Sequence, residues 1–294
     1  PFKEFDLTED EWCELHIAGW LHDCGKVTTP EYVVNKATKL ETIYDRIHEV
    51  RMRFEVLKRD AEIEMLKGLL DGGDAVELGE VYEERIAQLD DDYAFVAQCN
   101  VGGEFMTDEK VERVKQIAKI KWARTLSDRI GISYDEAKRK EREEEPNLPV
   151  VENLLDDRYD HIIVREEHDL LPPDNKWGFD MKVPEHKFNL GEVYNLGIGR
   201  GTLTEEDRYK VNDHIVQTIV MLESLPFPKH LKRVPEYAGG HHEKMDGTGY
   251  PRKLEKKDMT IPARIMAIAD IFEALTAADR PYKAPKKLSD SIKI

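Results

Sequence analysis

The stretch Leu21-His22-Asp23-Cys24-Gly25-Lys26 sets a histidine beside an aspartate, with a lysine three residues after the aspartate. A lone His-Asp dipeptide is a weak signal, and a second one occurs at His168-Asp169. The first pair gains weight from Asp213-His214, His241-His242-Glu243 and Ala269-Asp270 further along the chain. These supply the imidazoles and carboxylate that such a pair needs to complete a metal site. The second pair precedes Leu170-Leu171-Pro172-Pro173, with no Gly-Lys behind it, and reads as a loop without neighbouring ligands.

Around the first pair, residues 8 to 26 read as a helix. Thr8 with Glu11 has the capping-box pattern, and Trp12, Leu15, Ala18 and Leu21 recur at helical spacing. His16 lies six residues before His22, about 600° of rotation away and off its face, and reads as a partly buried structural histidine. From Leu40 through Ile43, Ile47, Val50, Phe54, Leu57, Met65 and Leu69 a long amphipathic helix is expected, ended by Asp71-Gly72-Gly73-Asp74. A second helix follows from Val76 to about Ala97. A third, capped by Thr107, runs through Val111, Val114, Ile117 and Trp122, and a short charged helix covers 131 to 146. After Pro146 the prolines multiply, and Ile162-Ile163-Val164 with Glu192-Val193-Tyr194 read as the strands of a small hairpin. A helix from about Thr204 carries His214 beside its apolar stripe. The last long helix, from about Pro262, sets Asp270 among Ile265, Ile268, Ala269, Ile271, Phe272 and Leu275. That is a costly position for a carboxylate unless it is paired or bound to metal.

The 294 residues, 40% apolar, allow a substantial core. A net charge of −16 argues against a nucleic-acid backbone or an anionic membrane as main partner, while leaving room for a small anionic ligand held by metal ions and a few cations. No apolar run is long enough to span a membrane, and no leader pattern opens the chain. Cys13, Cys24 and Cys99 form no CxxC pair and fit free thiols in a reducing, cytoplasmic setting. The chain starts at Pro1 and stops without a stop signal, and is expected to be a fragment of a longer protein.

Several of these stretches together resemble the HD-GYP family, a branch of the HD phosphohydrolases. The resemblance rests on His22-Asp23-x-Gly25-Lys26, His214 after Leu203-Thr204-Glu205-Glu206, His241-His242-Glu243, Asp246-Gly247-Thr248-Gly249-Tyr250-Pro251, and Ala267-Ile268-Ala269-Asp270 running on to Asp279-Arg280-Pro281-Tyr282. They stand in the family's order and cover about residues 8 to 48 and 200 to 284. The residues between form an insertion of about 150. A similar lead-in at Lys39-Leu40-Glu41-Thr42 makes His48 a rival for the middle histidine. His214 is preferred, because its surroundings match more fully and its distance to the histidine pair is undisturbed.

The resemblance implies a mainly helical, all-α HD bundle, with residues 1–48 as its first part, 49–199 as a helical insertion with a small hairpin, and 200–294 as its second part. It implies His22, Asp23, His214, His241, His242 and Asp270 as ligands of two divalent ions, Fe or Mn first and Zn or Ni next, with Asp23 bridging. Some family members hold a third metal through a helix upstream of the His-Asp pair, and the lack of that helix is expected to leave an apolar face exposed. Asp23 and Lys26 would act in catalysis. Lys26, Arg280, Lys283, Gly247 and Tyr250 would contact substrate, and Gly247, Gly249 and Pro251 would shape the loop. The implied activity is hydrolysis of a cyclic dinucleotide, cyclic di-GMP to a linear dinucleotide or GMP, with cyclic GMP-AMP as a related substrate. A non-hydrolysing binding module is the alternative from another class. A homodimer through the insertion and an upstream sensor or receiver domain are the partners expected.

Overall fold

The computed structural model describes residues 5–103, 105–170, 175–277 and 286–292. In chain order the helices are α1 (Glu9–Leu21), α2 (Glu31–Val34), α3 (Ile47–Leu70), α4 (Ala75–Val101), α5 (Asp108–Ala118), α6 (Tyr134–Lys140), α7 (Glu192–Leu196), α8 (Glu205–Asn212), α9 (His214–Glu223), α10 (Val234–Gly239), α11 (Ile261–Thr276) and α12 (Leu288–Ser291). Four short strands, β1 (Lys121–Arg124), β2 (Val150–Asn153), β3 (Ile162–Val164) and β4 (His186–Asn189), form two antiparallel pairs, β1 with β2 and β3 with β4. The fold is mainly helical, as the sequence indicates.

The chain divides into two compact units. One takes residues 1–35, 166–184 and 207–294, the other 36–165 and 185–206. In the first, α1 starts on the expected capping box. Thr8 Oγ1 accepts from Glu11 N at 3.3 Å and Glu11 Oε2 from Thr8 N at 2.9 Å. Leu15 and Ala18 of α1 bury against Val234, Tyr237 and Ala238 of α10, Leu222 of α9 and Met266 of α11. A second apolar cluster joins Phe179 to Ile215, Val216 and Ile219 of α9. In the other unit α3 and α4 form a long antiparallel hairpin, with α4 capped by Asp74 through Val76 N and Glu77 N. Its core joins Val50, Phe54, Leu57, Leu89, Val96, Val114 and Leu154.

Several expectations are corrected. Glu192-Val193-Tyr194 is helix α7, not a strand, and the partner of Ile162–Val164 is His186–Asn189. Trp122 lies on β1, because α5 ends at Ala118 and the chain turns to pair with β2. Leu40 precedes α3, its N–H bonded to the buried Asn100 side chain. The expected helix from Thr204 is two helices, α8 and α9, with Asp213 between them. His16 is exposed, its Nε2 accepting from Trp20 Nε1 at 3.2 Å. On α11, Met266 is buried, but Ile268, Ile271 and Phe272 are exposed.

The first boundary between the compact units falls at 35/36. Lys39, buried, donates to Leu196 O and Ile198 O, which ties this stretch to α7. Residues 166–184, inside the expected insertion, belong with α9 because Phe179 buries there.

Candidate metal centre

Six side chains from four parts of the chain meet in the first unit. His22 stands at the C-terminal end of α1 and Asp23 opens the 3₁₀ turn Cys24–Thr28. This turn packs on α9 with no room to spare. Gly25 N donates to Thr218 Oγ1 at 2.9 Å, and a Cβ at Gly25 would fall 2.0 Å from His214 O. Only glycine permits that approach, which is why the His-Asp-x-Gly spacing and the start of α9 belong together.

The approach brings His214 Nε2 to 3.3 Å from Asp23 Oδ1. His241 Nε2 lies 3.9 Å from the same oxygen, and His22 Nε2 lies 3.3 Å from Asp23 Oδ2 and 3.7 Å from Asp270 Oδ1. His242 Nε2 is 3.2 Å from His214 Nε2. Lys26 Nζ sits 2.5 Å from Asp23 Oδ2.

Three of the histidines share one device. Nδ1 of His22, His214 and His241 donates to the carbonyl three residues earlier, Gly19 O at 2.8 Å, Val211 O at 2.5 Å and Ala238 O at 2.6 Å. A carbonyl only accepts, so Nδ1 carries the proton and Nε2 is the atom turned to the centre. Burial pushes His241 down to about 4 and His242 down to about 3, so both are neutral near pH 7. His22 is raised to about 10 by its hydrogen bonds with Asp23 and Asp270. Burial alone would raise Asp23, but hydrogen bonds from His214, His22 and Lys26 outweigh it and hold the carboxyl well below the usual carboxylate range. Asp270 is likewise lowered, chiefly by its hydrogen bond with His22.

The fit to a cation rests on His241. Its side chain is fully buried, and its Nε2 has no hydrogen-bond partner. A buried, neutral imidazole lone pair aimed at a carboxylate oxygen is unfavourable unless a cation lies between them. The ligand-type atoms of His214, His241 and His242 lie within 4.8 Å of one another, as do those of His22, Asp23 and His241. The donor set of imidazole nitrogens and carboxylates suits a transition metal.

The loop after the histidine pair is held from within. Glu243, buried, accepts from Arg252 N at 2.7 Å and Leu254 N at 2.8 Å. Gly249 leaves no room for a Cβ, which would fall 2.3 Å from Lys244 N, and Gly247 has φ 76°. The Tyr250 ring stacks on His242 with centroids 4.8 Å apart and planes 18° apart. Burial, followed by the carboxylates of Asp270 and Asp23, raises the phenol above its ordinary value.

Residues 149–294 match the family model for the HD domain. The chain is 51% identical over 61 residues to "3'3'-cGAMP-specific phosphodiesterase 1" of Vibrio cholerae, covering 21% of this chain and 14% of that protein. It is 52% identical over 123 residues to "Probable cyclic di-GMP phosphodiesterase" of the same organism, covering 40% and 28%. To "Cyclic di-GMP phosphodiesterase" of Thermotoga maritima it is 37% identical over 93 residues, covering 32% and 25%. The family match and the names of these relatives support an HD domain of the HD-GYP type in this chain. It spans less than a third of the length of each of these relatives.

HD domains bind divalent metals, and the chain offers histidine and acidic groups suited to them. His22 and Asp23 lie outside the matched residues, and geometry alone sets them beside His214 and His241. His48 is on α3 in the other unit, exposed, with Nδ1 3.1 Å from Arg51 Nη1. Arg280 and Lys283 lie outside the described residues. Asp169 of the second His-Asp pair accepts from Glu166 N in a turn of its own. Sequence reasoning missed Thr218, the acceptor for Gly25, because a threonine in an apolar helix stripe gives no sign of its partner 193 residues away. None of the described helices is long and apolar enough to cross a membrane.

Proposed function

We propose that the chain is the hydrolytic part of a metal-dependent cyclic dinucleotide phosphodiesterase, acting on cyclic di-GMP to give a linear dinucleotide or GMP. The observation that carries this reading is the convergence of His22, Asp23, His214, His241 and Asp270 on one point, with an orphaned buried Nε2 among them. The names of the relatives support the substrate class. Relatives named for 3'3'-cGAMP support cyclic GMP-AMP as a second substrate.

His22, Asp23, His214, His241, His242 and Asp270 would hold two ions, Fe or Mn before Zn or Ni. When bound, such a pair supplies Lewis-acid polarisation of the phosphoryl oxygen and a water of lowered pKa. Asp23, whose carboxyl is held well below the usual carboxylate range, stays charged across the working pH range. Lys26, half-exposed, is free to turn from Asp23 to a phosphate oxygen once other cations neutralise that carboxylate. Arg280 and Lys283 are the further cations for substrate phosphates, and Tyr250 and Gly247 line the approach.

The test is turnover of cyclic di-GMP by protein loaded with Fe or Mn, with Asp23→Ala expected to lose bound metal and all measurable hydrolysis. Full activity in that variant refutes the reading, and tight nucleotide binding without turnover under every metal favours a regulatory binding module. The upstream sensor domain and the cytoplasmic setting belong to this same reading. So does a homodimer through the insertion, supported by Leu66, Leu70, Val76 and Val81, which the α3–α4 hairpin leaves exposed. Sedimentation is expected to show a dimer that Leu70→Glu dissociates.

A further inference from the structure

Residues 175–181 fold into the same unit as α9 and the loop 244–254. Asp180 N donates to Pro251 O at 2.7 Å, and Arg252 Nε donates to Trp177 O at 2.9 Å. A third tie closes a circuit with α9, where Trp177 Nε1 donates to Glu223 Oε2 at 2.6 Å and Arg252 Nη2 lies 3.4 Å from Glu223 Oε1. Beneath these bonds Phe179 is buried. It stacks on Trp177, with centroids 5.6 Å apart and planes 8° apart, and packs into the α9 cluster against which Tyr250 also rests. Tyr250 in turn stacks on His242, whose Nε2 faces His214.

The loop is thus gripped twice. Glu243 holds its backbone from inside the motif, and Asn175–Met181 holds its outer side. We propose that Asn175–Met181 is a positioning strap for the metal centre, anchored by Phe179, which keeps Tyr250 stacked on His242 and so fixes the His242 ring and the wall of the cleft beside it. The strap touches no reacting atom. Its effect on turnover rests on the phosphodiesterase reading, while its effect on Tyr250 does not.

The experiment follows the ring signals of Tyr250 in the whole chain carrying ¹³C-labelled tyrosine, assigned by Tyr250→Phe. His242→Ala gives the position of the unstacked ring. Phe179→Ala is expected to move the Tyr250 signal to that position and to lower kcat on the order of tenfold to a hundredfold, as small misplacements in an active site do. Phe179→Leu restores both. Arg252→Met keeps the apolar stem, removes the donors to Trp177 and Glu223, and moves the signal in the same direction, so it carries the test if Phe179→Ala does not fold. An unmoved Tyr250 signal in the folded variants overturns the strap. If the unaltered chain hydrolyses no cyclic dinucleotide, the functional reading fails and the Tyr250 signal still decides the strap.

Discussion

Each oxygen of Asp23 serves different partners, Oδ1 facing His214 and His241, and Oδ2 facing His22 and Lys26. A carboxylate shared in this way suits a bridge between two cations, and the alternatives of the sequence can be separated on it. His214→Ala is expected to weaken metal binding by more than the ten- to hundredfold, roughly, that loss of an outer-sphere partner costs. His48→Ala leaves metal content unchanged, because that side chain pairs with Arg51 on a helix of the other unit. Metal titration of both variants checks this, and equal loss in the two removes His214 from the centre. In the sequence the two histidines follow similar lead-ins, and the fuller match around His214 and its undisturbed distance to the histidine pair favoured it. The close approach at Gly25, which sets His214 beside Asp23, is a contact across 193 residues that no local pattern encodes.

Helices with a cap and a clear apolar stripe, such as α1, α4 and α5, were legible at their starts. Short apolar runs were legible only in part, since Ile162-Ile163-Val164 is strand β3 as expected while Glu192-Val193-Tyr194 is helix α7. Glu192-Val193-Tyr194 has strand-like residues, yet Glu192 is buried against Arg53 Nη1 at 2.8 Å and the segment coils to reach it. The short charged helix expected over 131 to 146 likewise hides a network. Lys140, almost wholly buried, lies 2.6 Å from Asp160 and 3.0 Å from Asp128, and Arg158 lies 2.7 Å from Asp128. Burial alone would raise Asp128, but hydrogen bonds from Arg158 and Lys140 outweigh it and hold the carboxyl well below its ordinary value. Asp160 is shifted the same way. A folded-state value below the unfolded one of about 3.9 means stability that is present above that pH and lost as pH falls towards the folded value. Urea melts of the α3–α4 unit are therefore expected to show a midpoint that drops steeply below about pH 4. Asp128→Asn lowers the midpoint at pH 7 and flattens the acid slope, and an unchanged slope would show that the network adds nothing.

For the molecule as a whole, the chain crosses between its units at 35/36, 165/166, 184/185 and 206/207. Motif matching in the sequence led to an expected insertion over 49–199. The compact units divide by burial, with Lys36 and Lys39 in one and Phe179 in the other. Thr202 Oγ1 donates to Lys36 O at 2.9 Å, a bond that joins the two ends of the α3–α4 unit across 166 residues. Once that unit has folded, the 193-residue closure that brings Thr218 to Gly25 shrinks to about 27 residues of free chain. The entropy of closing the loop falls by about 2 kcal/mol. The α3–α4 unit thus acts as a staple on the unfolded chain, and an order of events follows from it. In pulsed hydrogen exchange during refolding, amides of α3 and α4 are expected to gain protection before those of α9, and simultaneous protection would remove the staple. A chain cut between Gly72 and Gly73 loses this help, so its metal centre would assemble late and at a lower yield, even though every ligand is still present.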